Sequence, residues 1–544
     1  MIKFILSSVF RHIFTFFIIT PAYHCNIWGK KDMLINIHAA KCIGIEAVPV
    51  TVEINVSAGI GLHLVGLADA AVKESLLRTI TALQSMGFRI PGKKIVINLT
   101  PADMHKKGSG YDVPIALGII ASSGQRDLPR LGEFMIMGEL SLDGGIRAVP
   151  GALPIAELAH SEGLKGCILP SESALEAMDY GNVEIYAVEN LDEVLRILSG
   201  EELCEDLLAE NRLTAVRGEA QSVSVMDFSE ISGQEGAKRG LEIAAAGGHN
   251  VIMIGPPGSG KTSLAKAMAD ILPPMTFEES LQTSKIYSVA GRGDFSGGLM
   301  KSRPFRSPHY SASSAALIGG GSDNIMPGEV SLAHNGVLMI DEFIEAPKKI
   351  LELLRAPMED RKVVISRLKS KVEYPADFML VAATNPCPCG FYGEGDRCTC
   401  SPSRRQAYLS KLSGPLMDRI DIQLWMHPVD PRRLMNRRKA ESSAEVAARV
   451  MRAREVQKKR FKDDGIFCNA AMSSRLIEKY CPLSASCKSL LERIMEKMGL
   501  SARACSRIIR LARTIADLEG AESIREEHIT EAAGYRFLDR QNLF

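Results

Sequence analysis

A chain of 544 residues with a formal net charge of +1 has no surplus of either sign. Any contact with a polyanion must therefore come from a local basic surface, not from the protein as a whole. The chain has no internal repeat and no low-complexity tract, which argues against solenoids and disordered spacers. It has no disulfide framework either. Eight of its 12 cysteines stand singly (25, 42, 167, 204, 468, 481, 487 and 505), as reduced thiols of a cytosol do. An aromatic–hydrophobic–glycine loop, the device of motors that thread protein, is missing between positions 261 and 341. What remains is the balance of a soluble globular protein, 46% hydrophobic and 24% charged, and the length calls for two to four domains. The start departs from this balance. Residues 2–20 are strongly apolar, with Lys3 ahead and Arg11-His12 in the middle, which is short and interrupted for a membrane span. The expectation is an apolar extension over 1–32 from a misassigned start, with Met33 as initiator, in a cytoplasmic protein without stable membrane association. A signal segment or weak anchor is the alternative.

The richest string is Gly255-Pro256-Pro257-Gly258-Ser259-Gly260-Lys261-Thr262. It fits G-x-x-x-x-G-K-[ST], follows the apolar run 251–254 and precedes the helix-like 263–271, the strand–loop–helix context the motif needs. Glycines let backbone N–H groups close around phosphate oxygens, and the helix N-terminus adds positive charge. Lys261 would reach the β- and γ-phosphates of ATP and the Thr262 hydroxyl would sit on Mg²⁺. A second string, Gly336-Val337-Leu338-Met339-Ile340-Asp341-Glu342, reads as a strand buried on both faces that ends in paired carboxylates. Asp341 would hold Mg²⁺ through water, and Glu342 would orient and deprotonate the attacking water. The competing reading is a strand running into an exposed acidic turn. Together the two strings predict ATP hydrolysis.

Along the chain, residues 33–200 alternate strand and helix patterns and form one α/β domain, with Val50, Val52 and Ile54 on one face of a strand. Residues 201–225 are more polar and read as a linker, and 226–430 as the nucleotide-binding core. Helical periodicity fills 431–544, clearest over 442–460, 472–479, 488–498 and 503–518. Eighty residues separate Lys261 from Asp341, so an insertion is expected near 297–328, where Arg303, Arg306 and His309 stand among glycines. A passive surface loop is the alternative.

Three later residues could complete the site. Asn385 ends the apolar strand 378–384, where a polar group can touch the γ-phosphate. Arg419 lies between Asp418 and Asp421, suited to an ion pair in its own subunit or to charge neutralisation in a neighbour's site. Arg503 opens a helix. In this order they resemble the AAA+ family. The strings Gly233-Gln234, Glu242-Ile243-Ala244-Ala245-Ala246-Gly247-Gly248-His249-Asn250, Arg303-Pro304-Phe305-Arg306-Ser307-Pro308-His309, 327–336 and 413–421 narrow the resemblance to the magnesium-chelatase-like YifB/ComM group, from Met33 to Leu538. The resemblance implies an AAA+ P-loop core with a C-terminal helical lid. It also implies Asn385 as sensor 1, Arg419 as arginine finger, Arg503 as sensor 2, in cis or in trans, and a homo-hexameric ring with a helix-2 insertion. Stretches 98–120 and 138–156 resemble the ribosomal-S5-like proteolytic domain of Lon, in which a lysine activates a serine. Here those positions fall at Gly110, beside Ser109, and at Leu153, with Lys106, Lys107 and Lys165 off register. The domain is therefore expected to be proteolytically inactive.

For substrate, resemblance to the ComM branch implies a DNA motor in recombination or uptake, of helicase or branch-migration type. The basic–apolar alternation over 361–372 agrees with it. In the resembling clade that segment is a pore hairpin, so Arg367, Lys369 and Lys371 would meet DNA phosphates without reading sequence, unless the hairpin is merely solvated. A magnesium-chelatase motor or a chaperone-like remodeller of a protein partner is the alternative, though the chelatase motor lacks the Lon-like domain. Finally, Cys387, Cys389, Cys398 and Cys400 give C-x-C-x₈-C-x-C directly after Asn385. Four thiolates can enclose structural Zn²⁺, and reduced thiols on a loop are the alternative.

Overall fold

The computed structural model describes residues 34–67, 69–106, 108–200, 204–214, 226–321, 325–367, 370–428 and 441–539. The apolar start with Met33, Lys107, Lys369 and the segments 215–225 and 431–440 lie outside the described residues.

The first domain opens with β1 (Leu34–Ile43) and β2 (Glu46–Ser57), antiparallel across a turn at Gly44, whose φ is +65°. Alternation along β2 buries Val50, Val52, Ile54 and Val56, as a two-residue period requires. Then come β3 (Gly61–Val65), β4 (Lys94–Thr100), β5 (Phe134–Ile136), a ribbon of β6 (Glu139–Leu140) and β7 (Ile146–Arg147), β8 (Gly166–Pro170) and β9 (Glu184–Val188). Seven strands make one sheet in the order β3-β4-β2-β1-β5-β8-β9. Helices Ala70–Ser85, Asp112–Ser122, Ala152–Ser161 and Leu191–Ser199 belong to the same layer system.

The linker expected over 201–225 needs correction in its described part. Cys204, Leu207, Ala209 and Leu213 are buried in the first domain's core, Leu208 bridges to Tyr186, and Arg212 pairs with Glu193 at 2.8 Å and Glu189 at 3.0 Å. Glu205, Asp206, Glu210 and Asn211 separate the buried residues and make an anchored segment look polar.

The second half contains β10 (Val251–Ile254), β11 (Phe305–Arg306), β12 (Gly319–Gly320), β13 (Met326–Pro327), β14 (Val337–Ile340), β15 (Lys362–Arg367), β16 (Ser370–Pro375), β17 (Met379–Thr384) and β18 (Ile422–Trp425). Five of these form a wholly parallel sheet, β11-β14-β17-β10-β18. Every residue of β10, β14 and β17 is buried, because both faces are covered. One face shares a core with the C-terminal helices and the other packs under the segments between β14 and β17. The class is the expected one: a P-loop α/β core with a helical C-terminal part, behind a Lon-like α/β domain.

The long interval between Lys261 and Asp341 holds more than one addition. Helix Phe277–Ala290 comes first, started by a capping box of Thr276 and Glu279. After β11 come two short helices, Ser314–Ile318 and Glu329–Leu332, with the β12–β13 hairpin between them. Arg303 and Arg306 are fixed parts of the fold. Arg303 Nη2 donates to both Glu279 carboxylate oxygens at 2.9 and 3.0 Å, its other nitrogens donate to the carbonyls of Pro273 (2.6 Å) and Asn335 (2.7 Å), and Arg306 forks onto Glu329. Helix Phe277–Ala290 also carries part of the contact with the first domain, beside Leu299, whose N–H donates to Asp179 at 3.1 Å, and β16, against whose Val372 and Glu373 Gly44 packs. The Gly151 N–H donates to the Ser288 carbonyl at 3.1 Å, the Ser288 hydroxyl donates to Glu176 at 2.6 Å, and Lys285 pairs with Glu157.

The C-terminal helices are Ser443–Arg460, Ser474–Tyr480, Ala485–Met498, Ala502–Glu519 and Glu526–Gly534. Ser442, Ser473, Ser484 and Ser501 cap the first four, each side chain accepting a backbone N–H. No helix among the described residues is long and apolar enough to cross a membrane.

Candidate nucleotide site and its surroundings

The glycine loop leaves β10 and enters helix Lys261–Ala267. Gly258 and Gly260 take φ of +78° and +87°, and a methyl group on either would meet nothing within 4 Å. The loop thus needs the backbone freedom of glycine and turns that side to open space. Lys261 is 8% exposed, and its Nζ donates to the carbonyls of Gly255 (2.8 Å) and Pro256 (2.9 Å). Burial pulls its pKa down while Asp341 pulls it back up. Ser259 is buried, with its hydroxyl donating to the Pro256 carbonyl.

The two strings meet where the chemistry needs them. Thr262 Oγ1 donates to Asp341 Oδ2 at 2.7 Å, so a hydroxyl and a carboxylate 79 residues apart in sequence converge at the end of β14. Hard oxygen ligands of this kind suit Mg²⁺. Glu342 is exposed and stands in the left-handed region, φ +49°, which costs a residue with a Cβ of order 1 kcal/mol or more. Its N–H donates to Asp341 Oδ1 at 2.8 Å and its carbonyl accepts from Glu345 at 2.8 Å, which holds the strained geometry. Asn385 follows β17, next to β10 in the sheet. Gly390 packs so closely that a methyl group on it would lie 3.1 Å from Pro257 Cδ and 3.9 Å from Asn385 Cγ.

Gln234 carries a role that its sequence does not announce. At φ +63° its amide donates to the carbonyls of Ser259 (3.1 Å) and His427 (2.6 Å), tying the glycine loop to the strand end beyond β18.

Arg419 and Arg503 come together elsewhere. Both line a cavity of about 390 Å³ to which no residue of the glycine loop contributes. Arg419 pairs with Glu359 and donates to the Pro415 carbonyl at 2.7 Å, while Arg503 is exposed. Arg361, Arg507 and Arg510 line the same cavity. The spacing 503, 507, 510 puts three arginines on one helix face, a signal that could have been read from the sequence. Arg507 pairs with buried Asp421, which Arg507 and His249 hold ionised far below the usual carboxylate range against its burial.

β15 and β16 form an antiparallel hairpin. Val363, Ile365, Val372 and Tyr374 are buried, while Arg367 and Lys371 are exposed. The hairpin lies beside β12–β13, where a methyl group on Gly319 would come within 2.9 Å of Ile365 Cδ1 and the Tyr374 hydroxyl donates to the Ile325 carbonyl at 2.7 Å. The four sulfurs of Cys387, Cys389, Cys398 and Cys400 lie within 4.8 Å of one another.

In the first domain, Ser109 donates to Glu139, Lys106 is fully buried with Nζ on the Pro101 carbonyl, and Leu153 is fully buried. Lys165 pairs with Glu184 at 3.7 Å. Gly110 packs against Met137, where a methyl group would sit 2.9 Å from Cε.

Three family models match in sequence: subunit ChlI of magnesium chelatase over residues 52–173, magnesium chelatase subunit ChlI over 227–434, and its C-terminal part over 440–536. The protein YifB of Salmonella typhimurium is 41% identical over 507 residues, 93% of this chain and 97% of that one. The competence protein ComM of Haemophilus influenzae is 39% identical over 509 residues, again 93% and 97%. An archaeal Lon protease from Methanocaldococcus jannaschii is 27% identical over 150 residues, 28% of this chain and 23% of that protein.

Proposed function

Because the chain belongs to the YifB/ComM family of magnesium-chelatase-like AAA+ ATPases, we propose that it is an ATP-driven DNA motor working as a homo-hexameric ring in DNA recombination or uptake. The observation that carries the DNA reading is the β15–β16 hairpin, whose buried face is braced on β12–β13 while Arg367 and Lys371 stay exposed. Cations on a fixed ribbon suit phosphates, which are alike in every sequence. One relative's name, competence protein, supports a role in handling incoming DNA.

In this reading Gly255–Thr262 wraps the phosphates, with Lys261 leaving its carbonyl partners for the β- and γ-phosphates. Thr262 and Asp341 hold Mg²⁺, which when bound neutralises phosphate charge. Glu342 takes the proton of the attacking water, and Asn385 positions that water. Arg419 and Arg503 act on the neighbour's nucleotide, since they share a cavity to which their own glycine loop does not contribute. The first domain serves assembly or substrate binding without proteolysis, since the Lon-like lysine position falls at buried Leu153, which cannot act as a base.

The test is ATP turnover of the purified chain with and without forked or four-way DNA. Strong stimulation, lost in the Arg367→Ala/Lys371→Ala double variant with basal turnover intact, is expected. Absence of stimulation by any DNA would sink the DNA reading and turn attention to a protein partner.

A further inference from the structure

We propose that Cys387, Cys389, Cys398 and Cys400 hold one structural zinc ion, and that this ion clamps the loop between them against the glycine loop and Asn385. The geometry of the sulfurs comes first. A tetrahedral ion with Zn–S bonds of about 2.3 Å sets its sulfurs about 3.8 Å apart. Cys387 and Cys398 are 3.8 Å apart, Cys389 and Cys398 3.7 Å, and Cys387 and Cys389 3.3 Å. All four fall within 4.8 Å of one another, and all four are free thiols. Sulfur atoms gathered this closely suit a single ion and leave no room for a cluster of several irons.

The loop itself supplies the second argument. Over 385–401 its one regular element is the short turn Gly395–Arg397, and Gly390, Gly393 and Gly395 take φ of +84°, +95° and +60°. Such a segment orders few apolar contacts of its own, which is where a tetrahedral metal contributes folding energy. Its ends are functional positions. Cys387 comes two residues after Asn385, and Cys400 directly precedes Ser401, the cap of helix Pro402–Leu409. Arg405 of that helix donates to the Cys400 carbonyl at 2.9 Å and covers the Tyr392 ring at 4.2 Å, and Tyr392 stands edge-on to Trp425 of β18. Gly390, inside the loop, packs on Pro257 and Asn385. Joining the loop's ends through one ion would therefore fix Asn385 and one wall of the glycine loop together. This clamp, unlike the metal site, rests on the ATP-site reading above.

The experiment measures metal content of the full chain, purified without chelators, by mass spectrometry. The expected result is about one zinc per chain, lost in Cys389→Ser and in Cys398→Ser and retained in Cys505→Ser, a cysteine outside the quartet. Cobalt added to metal-stripped wild-type protein should give thiolate charge-transfer bands and the visible bands of a tetrahedral site. Zinc removal from the wild type with an organomercurial and a chelator, followed by thiol and zinc restoration, keeps the test independent of any folding defect in a variant. Stripped protein should turn over ATP about 10- to 100-fold more slowly and recover on zinc return. Protein that arrives without zinc and fails to take it up under reducing conditions overturns the site, as do iron in its place or a pair of disulfides. Zinc loss with unchanged ATP turnover overturns the clamp and leaves the ATP-site reading intact.

Discussion

In the proposed reaction the general base is Glu342, a residue whose backbone is strained. A left-handed φ of +49° persists because Asp341 and Glu345 bond its N–H and carbonyl, and such strain gathers where a side chain must be aimed. Glu342→Gln keeps the shape and removes the base. ATP binding should stay near the wild-type value while hydrolysis falls by about 10²- to 10⁴-fold, read by nucleotide titration and single-turnover kinetics. Normal hydrolysis would remove Glu342 from its role. Lys261→Ala should lose binding itself, since the buried ammonium is aimed into the loop. Arg303 makes a prediction of another kind. Its guanidinium and Glu279 are 12% and 11% exposed, so Arg303→Ala strips a nearly buried carboxylate of this ion pair and leaves it the Thr276 N–H, a loss of about 3 kcal/mol. The thermal midpoint should drop by several degrees, and an unchanged midpoint would show that Glu279 finds water instead.

At the scale of elements, the legible parts were those with local signals. Hydrophobic runs gave β10, β14 and β17, alternation gave β2, and four of the five C-terminal helices were readable to within a few residues, while Glu526–Gly534 was covered only by the general helical periodicity of 431–544. The third of those helices starts at Ala485 and not at 488 because Ser484 caps it. What stayed hidden depends on distant partners. Arg303 and Arg306 gain their meaning from Glu279 and Glu329, and the packing of 204–213 comes from four spaced apolar residues that fit a core built from elsewhere. Within the nucleotide site the glycine loop and paired carboxylates were written in the sequence, whereas the tie through Gln234 and the common cavity of Arg419 and Arg503 were not, since both depend on residues far apart in the chain. The two hairpins test the element level directly. Gly319 has φ +104°, and a side chain there would meet the Met326 carbonyl at 2.5 Å and Ile365 at 2.9 Å. Gly319→Val should push β15–β16 off its brace and abolish stimulation by DNA while basal ATP turnover persists. Equal loss of both would mean that the brace serves folding and not the DNA contact.

The whole molecule couples three bodies, and one coupling is titratable. Glu176 of the first domain accepts from Ser288 of helix Phe277–Ala290, and burial raises its pKa from 4.5 to about 7, against the lowering effect of that hydrogen bond. Cys42 and the Ala152 N–H face it from its own domain. A carboxyl whose pKa is raised by burial binds its proton more tightly in the folded protein, where Ser288 reaches it, than in the open chain. Its contribution is therefore complete below pH 4.5 and fades as pH rises through about 7. Hydrogen exchange of helix Phe277–Ala290, corrected for intrinsic rates, should quicken across that window, and Glu176→Gln should flatten the dependence. The proposed ring implies a second coupling, between subunits. If Arg419 and Arg503 serve the neighbour's nucleotide, a composite site needs Lys261 from one subunit and both arginines from the next. Lys261→Ala and Arg503→Ala proteins, each inactive alone, should regain activity when mixed, because random assembly puts an intact pair at about one interface in four. The same should hold for Lys261→Ala with Arg419→Ala. An arginine acting on its own subunit's nucleotide cannot be complemented, since the subunit that keeps Lys261 lacks the arginine and the subunit that keeps the arginine lacks Lys261. A mixture that stays inactive, despite subunit exchange seen by energy transfer between labelled proteins, would place that arginine at its own subunit's nucleotide and require the cavity it lines to close over its own glycine loop.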